Sequence, residues 1–162
     1  MKFFMILLLI LLCTYVGYGF SKYYINRHDF WKEMKLFLNK VNLDINFSRE
    51  KLKPIIHSYT AKSKELQLLL KNFILCLDEG TITEKALFAG IKLLFEDEKN
   101  ILFPLFKNIG HFDLQGQTKQ LENYIEIIDK YQKDTETEKN KFAPLFTKLG
   151  LIIGVVISLI LL

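Results

Sequence analysis

Three histidines, two cysteines and one acidic cluster are the residues whose types most often carry chemistry in this chain. His28, His57 and His111 each lack a His or Cys three or four positions on, the spacing that lets one helix face hold a metal. Cys76 sits beside Leu77 in an apolar stretch and reads as a small core residue. Cys13 lies inside an uncharged run, so the two cysteines make no disulfide framework. Glu96, Asp97 and Glu98 offer carboxylates, but acid–base work needs a pocket that shifts one of them, and three acids in a row read as a solvated helix edge. No glycine-rich phosphate loop or nucleophile elbow occurs. The aromatics, 14% of residues, recur at helical spacing, which favours core packing over a stacking platform. The chain therefore reads as non-enzymatic, with no catalytic residues, no cofactor, no metal and no small-molecule substrate.

The elements that would position any such group are helical. Trp31, Met34, Leu38, Val41 and Ile45 alternate spacings of three and four, continuing the preceding apolar run as one long helix. Leu52, Ile55, Ile56 and Tyr59 mark a second helix, with Pro54 near its start. Leu66, Leu69, Leu70, Phe73 and Leu77 mark a third, stopped near Gly80. Thr81 and Glu84 form a capping box for a fourth through Leu87, Ile91 and Leu94. Ile101, Leu102, Leu105, Phe106 and Ile109 make a fifth, ending at Gly110, with a kink or late start expected at Pro104. Asp113 is placed to cap a long sixth helix carrying Leu121, Tyr124, Ile125, Ile128 and Tyr131, and Gln117 lies one turn in. From Gln132 to Lys141 the face turns polar, as a solvated helix or a hinge, and Pro144 is expected to break or bend the approach to the C-terminal apolar run. No period-two alternation of a strand is sustained.

Charge divides the chain into three parts. Of 162 residues, 22 are Lys or Arg and 18 are Asp or Glu, for a net charge of +4. All of these except Lys2 fall between Ser21 and Lys148. Phe3–Phe20 is an uncharged run of 18 residues that spans about 27 Å as a helix, close to the ~30 Å of a hydrocarbon core. Leu149–Leu162 is a shorter run of 14, apolar on almost every face. The first run reads as a retained anchor rather than a cleaved signal peptide, since Gly17-Tyr18-Gly19 followed by Phe20 is a poor cleavage site. The expected architecture is all-α: a transmembrane helix at 3–20, a cytoplasmic bundle of about six helices at 21–148, and a transmembrane helix at 149–162. Lys22, Arg27, Lys32 and Lys35 follow the first run, and Lys133, Lys139, Lys141 and Lys148 precede the second. The positive-inside rule then puts the middle in the cytoplasm of a two-pass membrane protein, with membrane lipid as its solvent at both ends. Cys13, Gly17 and Ser21 recur every four residues, as do Gly150, Gly154 and Ser158. These two faces are expected to meet, because glycine lets helix backbones approach. Arginine is scarce, 2 residues against 20 lysines, which speaks against a nucleic-acid partner.

Thr14-Tyr15-Val16-Gly17-Tyr18, Glu79-Gly80, Gly110-His111-Phe112-Asp113-Leu114 and Lys148-Leu149-Gly150 make the chain resemble, nearly end to end, the stage III sporulation protein AB family of endospore-forming bacteria. Thr14-Tyr15-Val16-Gly17-Tyr18 followed by Lys22 is similar to its first span. Glu79-Gly80 with Glu84-Lys85-Ala86 is similar to its mid-domain turn. Gly110-His111-Phe112-Asp113-Leu114 with Gln117, and Lys148-Leu149-Gly150 with Gly154 and Ile160-Leu161-Leu162, carry the most specific likeness. Lys51, where the family usually has a proline, and Phe142-Ala143-Pro144 depart from the pattern. The resemblance implies a domain like the cytoplasmic part of type II secretion F platform proteins. It also implies a place in a multi-protein channel complex in the mother-cell membrane facing the forespore. A cytoplasmic secretion-type ATPase and other channel subunits would be its partners. On that view Gly110, Asp113 and Gln117 form either a helix corner with no partner or part of an ATPase-facing surface. The alternatives are a platform subunit of a type II secretion or type IV pilus-like apparatus, and a membrane-tethered signalling subunit. A membrane-embedded enzyme would need charged residues within the spans, and there are none.

Overall fold

A computed structural model describes residues 2–48, 52–109 and 114–160, with side chains for 4–44, 53–109 and 119–160. The chain is all-α, with no strand among the described residues. Its helices are α1 (Lys2–Ser48), α2 (Leu52–Ser58), α3 (Lys64–Glu79), α4 (Glu84–Leu87), α5 (Glu96–Asn108) and α6 (Leu114–Ile160). Two compact units result, one of residues 1–28 with 133–162 and one of residues 29–132.

The second unit is a helical body built on large side chains. Phe30, Trp31, Met34, Phe37, Leu38 and Val41 of α1 are buried, as are Ile55 and Ile56 of α2. Leu66, Leu69, Leu70 and Phe73 come from α3, Leu102, Leu105 and Phe106 from α5, and Leu121 and Ile128 from α6. Each fully buried Leu, Ile or Phe contributes roughly 1.5–3 kcal/mol relative to exposure. Rings interlock within it: Trp31 stacks on Tyr131 at 4.6 Å, and Phe73 meets Phe106 edge-on at 4.9 Å. Cys76 is buried, 2% exposed, on the core side of α3.

Three local expectations are corrected. The fourth helix is a single turn capped by Thr83, whose Oγ1 accepts the Ala86 N–H at 3.3 Å, rather than by Thr81. It cannot run on to Leu94 because Gly90 adopts φ +77° and the Asn72 amide donates to the Leu87 and Ala89 carbonyls, both at 3.0 Å. The apolar residues Ile91, Leu93 and Leu94 reach the core from the loop beyond it. α5 starts at Glu96, well ahead of Pro104, because Glu98 turns back to accept the Phe95 N–H at 2.8 Å. The acidic cluster is thus the first turn of a helix, where negative charge opposes the helix dipole. Pro144 neither breaks nor ends α6, which continues to Ile160. Pro144 and Asn140, four residues before it, are both exposed, so water can hydrate the carbonyl the proline leaves unpaired. The polar stretch 132–141 is helix throughout.

The first unit pairs the apolar ends of α1 and α6. Both helices are long and apolar enough to cross a membrane. In the most apolar window of each helix only 11% and 22% of residues are buried, which excludes the core helix of a soluble protein. Phe4, Tyr15, Leu159 and Ile160 are 69, 76, 69 and 78% exposed. Such surfaces fit a membrane protein.

Candidate functional site

Two sets of residues were expected to matter, and the structure describes one of them. Gly110 and Asp113 lie outside the described residues. Gln117 falls within α6, but its side chain lies outside them as well.

The other set comes together in the first unit. A Cβ on Gly17 would lie 2.5 Å from the Phe146 carbonyl oxygen and 3.0 Å from the Gly150 Cα. A Cβ on Gly150 would lie 2.7 Å from the Cys13 carbonyl oxygen and 3.1 Å from the Gly17 Cα. A Cβ on Gly154 would lie 3.0 Å from the Ile10 Cα and 3.2 Å from the Cys13 Cβ. Backbone therefore meets backbone, and no larger residue fits without the helices parting. Ser21 and Ser158 are buried in the same unit, 4 and 5% exposed. The seam hydroxyls cost little, because Ser158 Oγ donates to the Gly154 carbonyl at 2.7 Å and Thr14 Oγ1 to the Ile10 carbonyl at 2.8 Å.

Beyond this glycine seam the contacts become aromatic and then charged. Phe20 and Phe146 lie 5.7 Å apart, and Tyr24 packs on Phe142 at 5.2 Å and on Phe146 at 5.7 Å. Further along, the buried Arg27 guanidinium sits 3.9 Å from the Glu138 carboxylate. One side of the aromatic layer opens into a cavity of about 610 Å³ lined by Val16, Gly19, Phe20, Tyr23, Tyr24 and Phe146.

In the second unit the residue that sequence reading missed is Glu33, which is 8% exposed. Its carboxylate accepts the Lys62 and Ser63 N–H groups at 2.6 and 2.9 Å, just ahead of α3. Ser63 is the N-cap of that helix, and its hydroxyl accepts the Leu66 N–H. A charge from α1 thus anchors the start of α3, with the helix dipole in its favour. Tyr59 completes the latch, its hydroxyl donating to the Glu33 carbonyl at 3.1 Å. Burial, and then the Glu33 charge, push the Tyr59 phenol above its ordinary value of 10.0. Burial alone raises Tyr124. The visible signal for Glu33 was an acid between the core residues Phe30, Trp31, Met34 and Phe37. Lys35 pairs with Asp129, and Lys53 with Asp78 at 2.6 Å.

The glycine seam and the Glu33 latch hold helices together. Among the described residues no group of three or more His, Cys, Asp or Glu could hold a metal ion. A second cavity, about 380 Å³, lies over α2 and α3, lined among others by Ile56, His57, Tyr59, Thr60, Gln67 and Lys71. A family model, stage III sporulation protein AB, matches residues 2–162 of the chain. No curated protein and no solved structure matches it.

Proposed function

The chain belongs to the stage III sporulation protein AB family, and from that premise we propose that it is a non-enzymatic membrane platform of the sporulation-specific, secretion-like channel complex. The two apolar helices anchor it as a two-pass protein in the mother-cell membrane around the forespore. The charged helical body faces the cytoplasm and docks a secretion-type ATPase and other channel subunits.

One observation carries this reading. A single chain joins a helix pair whose apolar surface is exposed nearly all round to a body whose core is closed and whose surface is charged. The first suits lipid, and the second suits a protein partner in water. Lysine and arginine cluster on the inner flank of both apolar stretches, which supports a cytoplasmic body. For Gly110, Asp113 and Gln117 two readings stand, a helix corner with no partner and part of the ATPase-facing surface, and the Asp113 variant below separates them.

Co-purification of the full-length chain in detergent with a secretion-type ATPase from the same cells tests the docking role. Retention of the ATPase is expected. The Asp113→Ala variant should lose it at unchanged melting temperature. A loss of about 1 kcal/mol of stability with binding intact would reduce Asp113 to a helix cap. Protease added outside intact mother cells should leave the body uncut; digestion would overturn the topology.

A further inference from the structure

We infer that the groove at the aromatic end of the apolar helix pair seats one acyl chain of an anionic phospholipid, with lysines at its rim holding the headgroup. This rests on the membrane reading proposed above.

The groove has the size and lining for it. At about 610 Å³ it falls within the ~300–1,000 Å³ typical of ligand sites. Val16, Phe20 and Phe146 are wholly apolar, and Tyr23 and Tyr24 bring rings with one hydroxyl each. Gly19 gives it depth. Unlike Gly17, which the opposing helix requires, Gly19 has nothing within 4 Å of where a Cβ would stand. It sits in ordinary helix, so neither tight packing nor a left-handed backbone calls for glycine there. Gly19 is exposed, so the space its missing side chain leaves lies open on the helix surface, where an acyl chain can lie against the backbone.

Charge selects the occupant. Phe20–His28 and Lys139–Leu149, the segments flanking the groove, hold Lys22, Lys139, Lys141 and Lys148 and no Asp or Glu. Their one arginine, Arg27, is matched by Glu138. Lys22 is exposed and lies one helical turn from Gly19, on the same side of α1. Lys139 precedes Phe142 by one turn, and Phe142 packs on Tyr24 at the groove wall. Each lysine near a membrane surface favours an anionic headgroup by about fivefold. A neutral lipid would fill the groove and forgo that attraction.

The test is native mass spectrometry of the full-length chain, delipidated in detergent and offered equal phosphatidylglycerol and phosphatidylcholine with identical acyl chains. One phosphatidylglycerol should stay bound per chain, at least fivefold ahead of phosphatidylcholine. Gly19→Leu fills the groove and should cut retention of both lipids at least tenfold, with helix content unchanged. Lys22→Gln should keep retention of phosphatidylcholine and lower the preference for phosphatidylglycerol about fivefold. Equal retention by wild type and Gly19→Leu, or no headgroup preference in the wild type, would overturn the site. Cross-linking of Gly19→Cys between chains with no lipid retained would give the groove to a second copy instead. Release of the chain from membranes by carbonate would sink the membrane reading along with it, whereas a chain that stays in the membrane and retains no lipid sinks the lipid site alone.

Discussion

Over residues 4–21 and 143–160 of the helix pair the buried positions are Gly17, Ser21, Ala143, Gly150, Gly154 and Ser158; in the helical body they include Trp31, Phe37, Phe73, Phe106 and a set of leucines. The same α1 and α6 supply residues to both lists. Water drives the second kind of packing, because every large side chain withdrawn from it gains hydrophobic free energy. Lipid offers no such gain, so helices there associate by close backbone approach, which only small residues permit. The large side chains of the pair accordingly point outward, where Phe4, Leu11 and Tyr15 are more than half exposed. One pair of helices thus meets two solvents, and the size of its buried residues switches between them.

Four substitutions would break or sharpen that contrast. The largest effect is expected in the body: Trp31→Ala should cost about 3–5 kcal/mol and lower the detergent melting temperature of the helical signal, since Trp31 is fully buried and stacked. Next comes Gly17→Leu, where the new side chain meets the Phe146 and Gly150 backbone. It should cost about 3 kcal/mol of helix association, read as loss of energy transfer between probes on the two helices. A tolerated leucine at Gly17 would refute the small-residue seam. Glu33→Gln keeps an acceptor but removes the charge at the start of α3, and about 2 kcal/mol should be lost in chemical denaturation. The smallest effect belongs to Tyr59→Phe, about 1 kcal/mol for the lost hydrogen bond. That variant also tests pH dependence. The Tyr59 phenol is raised in the fold, so its contribution is complete below its unfolded value of 10.0 and is lost as pH rises through the higher folded value. Wild type should therefore weaken above pH 10.0 more steeply than Tyr59→Phe.

Much of this was legible in the residues. The stripe Trp31, Met34, Leu38 and Val41 is buried, and its counterparts in α3, α5 and α6 are buried or partly buried, because helical periodicity and burial are tightly coupled when one face meets a body and the other meets water. The four-residue recurrence of Gly150, Gly154 and Ser158 is buried along its whole length, and Gly150 meets Gly17 as antiparallel pairing requires. Local punctuation was less reliable. Thr81 and Glu84 matched a capping box, yet Thr83 caps the helix, because Gly90 and the Asn72 clamp fix where that turn must end. Pro144 looked like a breaker and is carried within α6, because tertiary contacts on both sides outweigh one missing hydrogen bond at an exposed position.

The order of charged and uncharged segments, with its helical periodicity, determined by itself that this protein has two apolar ends, a charged centre and no sustained strand pattern, since both features depend only on neighbours along the chain. Only the tertiary structure decided that Glu33 anchors α3 from nearly thirty residues away and that Gly17 closes a helix seam while Gly19 opens a groove. Two glycines two positions apart face different surroundings on one helix, and what each surrounding holds is set by the partner helix, which the local sequence does not contain.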